Sequence, residues 1–204
     1  MQFKIKNTVY EIKFTFFALI LFLLTTHKSD NLIYFFIFAV LHEIVHLVFI
    51  YIFSVPPQKV SFSLFGANIK RGDTTALNTI HEIIINISAP VFNIITGAFF
   101  HFIPHISPDY AGLLSEIGDI NLILGGFNLI PFYTFDGGNG LKYILLYFLN
   151  EKTTEQALTC ISLIVTVIFS FGSIYIFLNY QHNFSLLLIC IYMFLSIIFK
   201  KQNS

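Results

Sequence analysis

Apolar residues run almost unbroken through six segments of the chain, separated by short polar breaks. The segments cover about Ile12 to Thr26, Asn31 to Phe53, about Ile80 to Ile103, near Leu114 to Leu149, roughly Gln156 to Leu178, and Phe184 to Phe199. A helix needs about 20 apolar residues to cross a bilayer, so the pattern predicts an all-α polytopic membrane protein of about six transmembrane helices. The first segment is short for a crossing. Lys4, Lys6 and Lys13 precede it as they would a signal peptide. Thr25-Thr26-His27-Lys28 offers no small-x-small cleavage site, so an uncleaved anchor is expected.

The breaks carry information of their own. Pro56-Pro57 closes the second segment and Pro104 the third, because proline cannot continue a helix. Val60 to Phe65 alternates in polarity and ends at Gly66, which predicts a short membrane-associated β segment. The fourth segment is too long for one straight crossing and contains Pro131, Gly137, Gly138 and Gly140. It is expected to be a broken helix with irregular backbone around Phe135 to Gly138. A bilayer tolerates such backbone only inside protein or beside a cavity.

Composition sharpens this picture. Charged residues make up 11% of the 204, hydrophobic residues 56%, and the mean hydropathy is +0.78; a soluble domain carries about 25% charged residues. Eleven basic residues balance eleven acidic ones, so no basic face is expected and nucleic acid is not an expected partner. Cys160 and Cys190 lie in apolar runs and suit buried thiols. With ten Tyr and no Trp, tyrosine must supply any interfacial belt. If the N-terminus is cytoplasmic, six crossings leave only Lys28 outside among the eleven basic residues. Both termini are therefore expected in the cytoplasm. A single integral membrane domain over 1–204 is expected, with a catalytic core at about 31–149.

The second segment contains His42-Glu43-Ile44-Val45-His46. On a helix, His42 and His46 lie on one face a turn apart, so both imidazoles can reach one metal ion. Glu43 sits about 100° round from His42, placed to take a proton from a metal-bound water. The bland alternative is three polar groups bonding within a bundle. Each ionisable group at mid-membrane costs about 2.5–3.5 kcal/mol on insertion scales, which favours the functional reading.

Two histidines and a water leave a tetrahedral catalytic zinc one protein ligand short. Phe49 and Ile52 exclude the metzincin spacing. Asp73 neighbours Lys70 and Arg71, Glu82 starts a segment, and Glu116 and Asp119 lie toward the outer face. Asp136 sits in the broken fourth segment, followed by two glycines that permit close backbone approach. His46, seven residues from its helix end, and Asp136 both fall in the inner half of the membrane. A helix-capping role for Asp136 remains the alternative.

With these motifs in view, the sequence resembles the site-2 proteases, a family of intramembrane zinc metalloproteases. Its HExxH is His42 to His46, and its NxxPxxxxDG runs intact from Asn128 through Pro131 to Asp136-Gly137. A small-Pro-x-x-Asn element lies between them as Ala89-Pro90-Val91-Phe92-Asn93. The order of motifs resembles the subgroup with the sporulation protease that processes a membrane-tethered pro-sigma factor. The resemblance implies His42, His46 and Asp136 as Zn2+ ligands, Glu43 as general base, and Asn128 as a residue that positions substrate backbone. It implies a three-helix catalytic core and a β segment, Val60 to Phe65, that pairs with extended substrate. The implied partners are a membrane-anchored protein substrate, the lipid bilayer and regulatory membrane proteins. The implied location is the bacterial cytoplasmic membrane. Neither a CBS domain nor a PDZ module is recognisable, so control by either is not expected.

The remaining polar residues are read more plainly. His81-Glu82 is expected as an interfacial pair. His101 and His105 are separated by Pro104, which argues against a second metal there. Asp119 and Asn121 are expected to bond to neighbouring helices, and Asn86 and Asn93 to act as packing and polar glue. Two competing functions stand beside the protease: a non-catalytic scaffold or metal-handling carrier, and a maturation protease for a small secreted peptide. A scaffold has no need of a Glu between the two histidines.

Overall fold

A computed structural model of the protein describes residues 2–5, 8–12, 31–53, 57–63, 66–71, 78–103, 110–179 and 185–202. Among them are strands β1 (Gln2–Ile5), β2 (Thr8–Ile12), β3 (Pro57–Ser63) and β4 (Gly66–Arg71). The helices are α1 (Asn31–Ile52), α2 (Thr79–Phe102), α3 (Ala111–Asn128), α4 (Asp136–Phe148), α5 (Glu151–Asn179) and α6 (Ser185–Gln202). The chain divides into two compact units, Met1–Phe127 and Asn128–Ser204.

In the first unit the strands form one sheet in the order β1-β2-β3-β4. The outer pairings are antiparallel, and β2 pairs with β3 in parallel. A parallel pair needs a long crossover, and α1 lies within it. Lys59 on β3 forms a 2.7 Å ion pair with Glu11 on β2, two positions along from its register partner Val9. Pro57 occupies the first position of β3, where a missing N–H is tolerated. The sheet is larger than the one short segment the sequence predicts. Leu64 and Phe65, assigned to that segment, lie outside the described residues, and Gly66 opens β4. Of the predicted first span, Ile12 belongs to β2 and the rest lies outside the described residues.

α1 buries His42, His46 and Ile50, one stripe at i, i+4 and i+8, while Ile44, Val48 and Tyr51 remain exposed. A helix whose outward side is this apolar suits lipid rather than water. α2 buries Ile85, Ala89, Pro90, Asn93 and Gly97. It meets α3 through small residues. A Cβ on Gly97 would stand 2.9 Å from the Gly118 carbonyl oxygen, and one on Gly125 would stand 2.7 Å from that of Pro90. This close approach lets polar side chains bond across it. Asn93 Nδ2 donates to Asn121 Oδ1 at 2.9 Å, and His101 Nε2 lies 3.1 Å from Asp119 Oδ1. Asp119 and Asn121 thus bond to the neighbouring helix as the sequence predicts.

Three described helices are long and apolar enough to cross a membrane: Leu32–Ile52, Thr79–Phe102 and Glu151–Asn179. α6 contains a shorter apolar stretch, Leu186–Phe199. The chain is an integral membrane protein with apolar helices.

The second unit contains α4, α5 and α6. Asn150 caps α5, its Oδ1 accepting from the Thr153 N–H at 2.9 Å. The buried stripe of α5 is small and polar, with Thr154, Ser162, Thr166 and Ser173 beside Leu158. Cys190 and Met193 are the buried residues of α6. Cys190 is buried as predicted, whereas Cys160 is exposed on α5. An apolar run permits burial, but helical phase decides which of its residues face the lipid.

The fourth segment is broken, but not where the glycines fall. α3 ends at Asn128, residues 129–135 form the irregular stretch, and Gly137 and Gly138 lie inside α4. The break therefore precedes the predicted Phe135 to Gly138. Pro131 accounts for it, since it has no N–H to offer a continuing helix.

Candidate metal centre

The two motif histidines belong to the first unit and share one face of α1, as a four-residue spacing requires. Their ring centroids are 4.9 Å apart with planes at 84°, and both rings are buried. Each has one nitrogen already engaged. His42 Nδ1 is 2.6 Å from Asn93 Oδ1, and His46 Nδ1 is 2.8 Å from the Ile85 carbonyl oxygen. Both contacts are to oxygen atoms, which accept, so each Nδ1 carries the proton. In the neutral ring Nε2 is then the lone-pair nitrogen, the form a metal ligand needs. Glu43 is half-buried on the adjoining side of the same helix.

Asn93, expected from the sequence as packing and polar glue, is the acceptor that faces His42 Nδ1. Its signal was available: an amide in mid-helix within a short motif. The Ile85 carbonyl carries no side-chain signal, because any residue at that position supplies one.

Asp136 and Asn128 belong to the second unit. Asn128 is the last residue of α3, half-buried, and Asp136 is the first residue of α4. Position one of a helix suits a carboxylate, since the N-terminal N–H groups carry partial positive charge. The capping position belongs to Phe135, in extended backbone at φ −93° and ψ 162°.

The stretch before Asp136 is held at several points. Phe132 is completely buried and packs against the rings of Tyr133 and Phe135 at 5.0 and 5.1 Å. The Phe135 N–H donates to the Phe132 carbonyl at 2.9 Å. The Tyr133 N–H donates to Ser162 Oγ on α5 at 3.1 Å, and its hydroxyl donates to the Ser196 carbonyl on α6. Gly137 and Gly138 lie against the carbonyls of Leu129 and Phe132, where a Cβ would overlap. Their role is the close backbone approach that the sequence predicts, made inside a helix and not at a turn.

The other candidates resolve simply. His81 stacks on Phe53 with ring centroids 4.3 Å apart, and Glu82 is buried at the start of α2. His101 pairs with Asp119, and His105 lies outside the described residues.

No protein-family model matches the chain. A zinc metalloprotease of Methanocaldococcus jannaschii is 28% identical over 153 residues, covering 70% of this chain and 44% of the relative. The chain thus spans less than half the length of that protein. The solved site-2 protease from Methanocaldococcus jannaschii superposes with a TM-score of 0.66 at 24% identity, covering 97% of this chain and 93% of that one. The chain has that fold and is similar in sequence to a zinc metalloprotease. Zinc is the metal that this similarity implies, and the imidazole pair of His42 and His46 suits it.

Proposed function

We propose that this distant zinc metalloprotease homologue, built on a site-2 protease fold, is an intramembrane endopeptidase. It cuts a peptide bond in or near the membrane segment of an anchored protein. The observation that carries the reading is that His42 Nδ1 and His46 Nδ1, on one buried face of α1, both donate to oxygen acceptors, as the imidazoles of a metal site do. Asp136 supplies the third ligand in this reading, and a catalytic core over about 31–149 contains all three.

His42, His46 and Asp136 would hold the zinc, which would supply a water of pKa about 7 and a Lewis acid for the carbonyl oxygen. Glu43 takes a proton from the attacking water and returns it to the leaving amine. Asn128 holds the substrate backbone. A substrate helix has to unwind locally, since a carbonyl engaged in a helical hydrogen bond is poorly placed for attack. Strand edges of the sheet suit an extended segment, because backbone pairing holds a peptide without reading its sequence.

Both termini lie in the cytoplasm in this reading, and the product is a fragment released there. A membrane-tethered pro-sigma factor is one substrate of the required kind, supported by motif order alone. The test is co-expression with single-span membrane proteins carrying a cytoplasmic reporter. Wild type is expected to release the reporter from at least one, and Glu43→Gln from none. Equal release by Glu43→Gln contradicts the mechanism.

A further inference from the structure

We infer that Asn121, on α3, is a positioning residue that fixes which nitrogen of His42 is offered to the metal. The inference rests on the proposed function only in taking His42 as a ligand. Asn121 acts on His42 through Asn93.

Asn121 Nδ2 lies 2.9 Å from the Ile117 carbonyl oxygen one turn earlier on α3. A carbonyl can only accept, so the atom facing it must be the amide nitrogen of Asn121. The Asn121 oxygen therefore points the other way, 2.9 Å from Asn93 Nδ2. An oxygen there requires a donor opposite, which sets the amide of Asn93 with its nitrogen toward α3 and its oxygen toward α1. That oxygen is the atom 2.6 Å from His42 Nδ1. His42 must then carry its proton on Nδ1 and its lone pair on Nε2.

Reversing any one amide would put two donors or two acceptors face to face. Asn93 and Asn121 have no exposure to solvent, and His42 is 4% exposed, so water cannot compensate a reversal. An Asn93 turned around would present N–H groups to His42 Nδ1. The ring would then protonate on Nε2 and lose the lone pair that ligation needs. His46 needs no such relay, since the Ile85 carbonyl is an acceptor in any state.

The test measures zinc affinity of the full chain in detergent, by competition with a chromophoric chelator, with unfolding of the metal-free protein recorded alongside. Asn121→Leu removes donor and acceptor together and is expected to weaken zinc binding about 10–100-fold, the range for lost outer-shell partners. Asn121→Ala removes the same groups in a smaller residue and carries the same expectation should the leucine variant fail to fold. Asn121→Asp, as the neutral acid, keeps both an acceptor for Asn93 and an O–H donor for the Ile117 carbonyl, and is expected to bind close to wild type. In an Asn93→Asp background a carboxylate oxygen faces His42 whichever way it turns, so adding Asn121→Leu should cost no further affinity. Wild-type affinity in both Asn121→Leu and Asn121→Ala, or a loss carried undiminished into the Asn93→Asp background, overturns the relay. A wild-type chain that binds no zinc overturns the metal reading itself, and the role of Asn121 with it.

Discussion

Gly138 lies so close to the carbonyl oxygen of Phe132 that a Cβ on it would overlap that atom, and Gly137 stands in the same relation to Leu129. The first turn of α4 and the irregular stretch before it therefore fit only with hydrogen at both positions. Gly137→Ala and Gly138→Ala are expected to destabilise the protein by about 1–3 kcal/mol or more, the range for overpacking. Gly126→Ala serves as the control, because nothing lies within 4 Å of its added Cβ. Thermal unfolding in detergent checks this, with a lowered midpoint for the first two and little change for the third.

Tyr133 ties the same stretch to α5 and α6 through Ser162 and the Ser196 carbonyl. Tyr133→Phe removes only the second tie, and Ser162→Ala only the first. Each is expected to cost about 0.5–1.5 kcal/mol, the net worth of an ordinary hydrogen bond. Chemical denaturation monitored by helix content reads both losses.

Asn93 serves two partners at once, so its loss should exceed that of a single bond. Asn93→Leu leaves the His42 Nδ1 donor and the Asn121 Oδ1 acceptor without the partner each has in the fold. Unsatisfied buried groups cost about 1–3 kcal/mol each. The unfolding midpoint of the metal-free variant should fall well below that of Tyr133→Phe.

His101 and Asp119 are a contrasting pair. They lie 3.1 Å apart with side chains 38% and 66% exposed, and such a pair contributes about 0–1 kcal/mol. His101→Gln is expected to leave both stability and zinc content near wild type. A fall in zinc content would place a metal there.

The sequence made some of this legible and concealed the rest for physical reasons. A four-residue spacing on a helix fixes the shared face of His42 and His46 without further information. The spans of α1, α2 and α5 follow from apolar length, because hydrocarbon sets that length. β1 and β2 were concealed because short strands beside lysines resemble the lead-in to a span. The break before Asp136 lies earlier than the glycines suggest, because glycine serves a turn and a close approach inside a helix alike, and only the neighbouring carbonyls decide between them. Asn93 was legible as polar glue but not as the partner of His42. That partnership depends on how α1 and α2 cross, which no local pattern records.

Zinc per chain in the detergent-purified protein tests the central claim most directly. Wild type and Glu43→Gln are expected to hold about one zinc ion per chain, because a general base is not a ligand. His46→Ala and Asp136→Ala are expected to lose it or bind it weakly. Folded wild type without zinc, or zinc content indifferent to both ligand substitutions, contradicts the account.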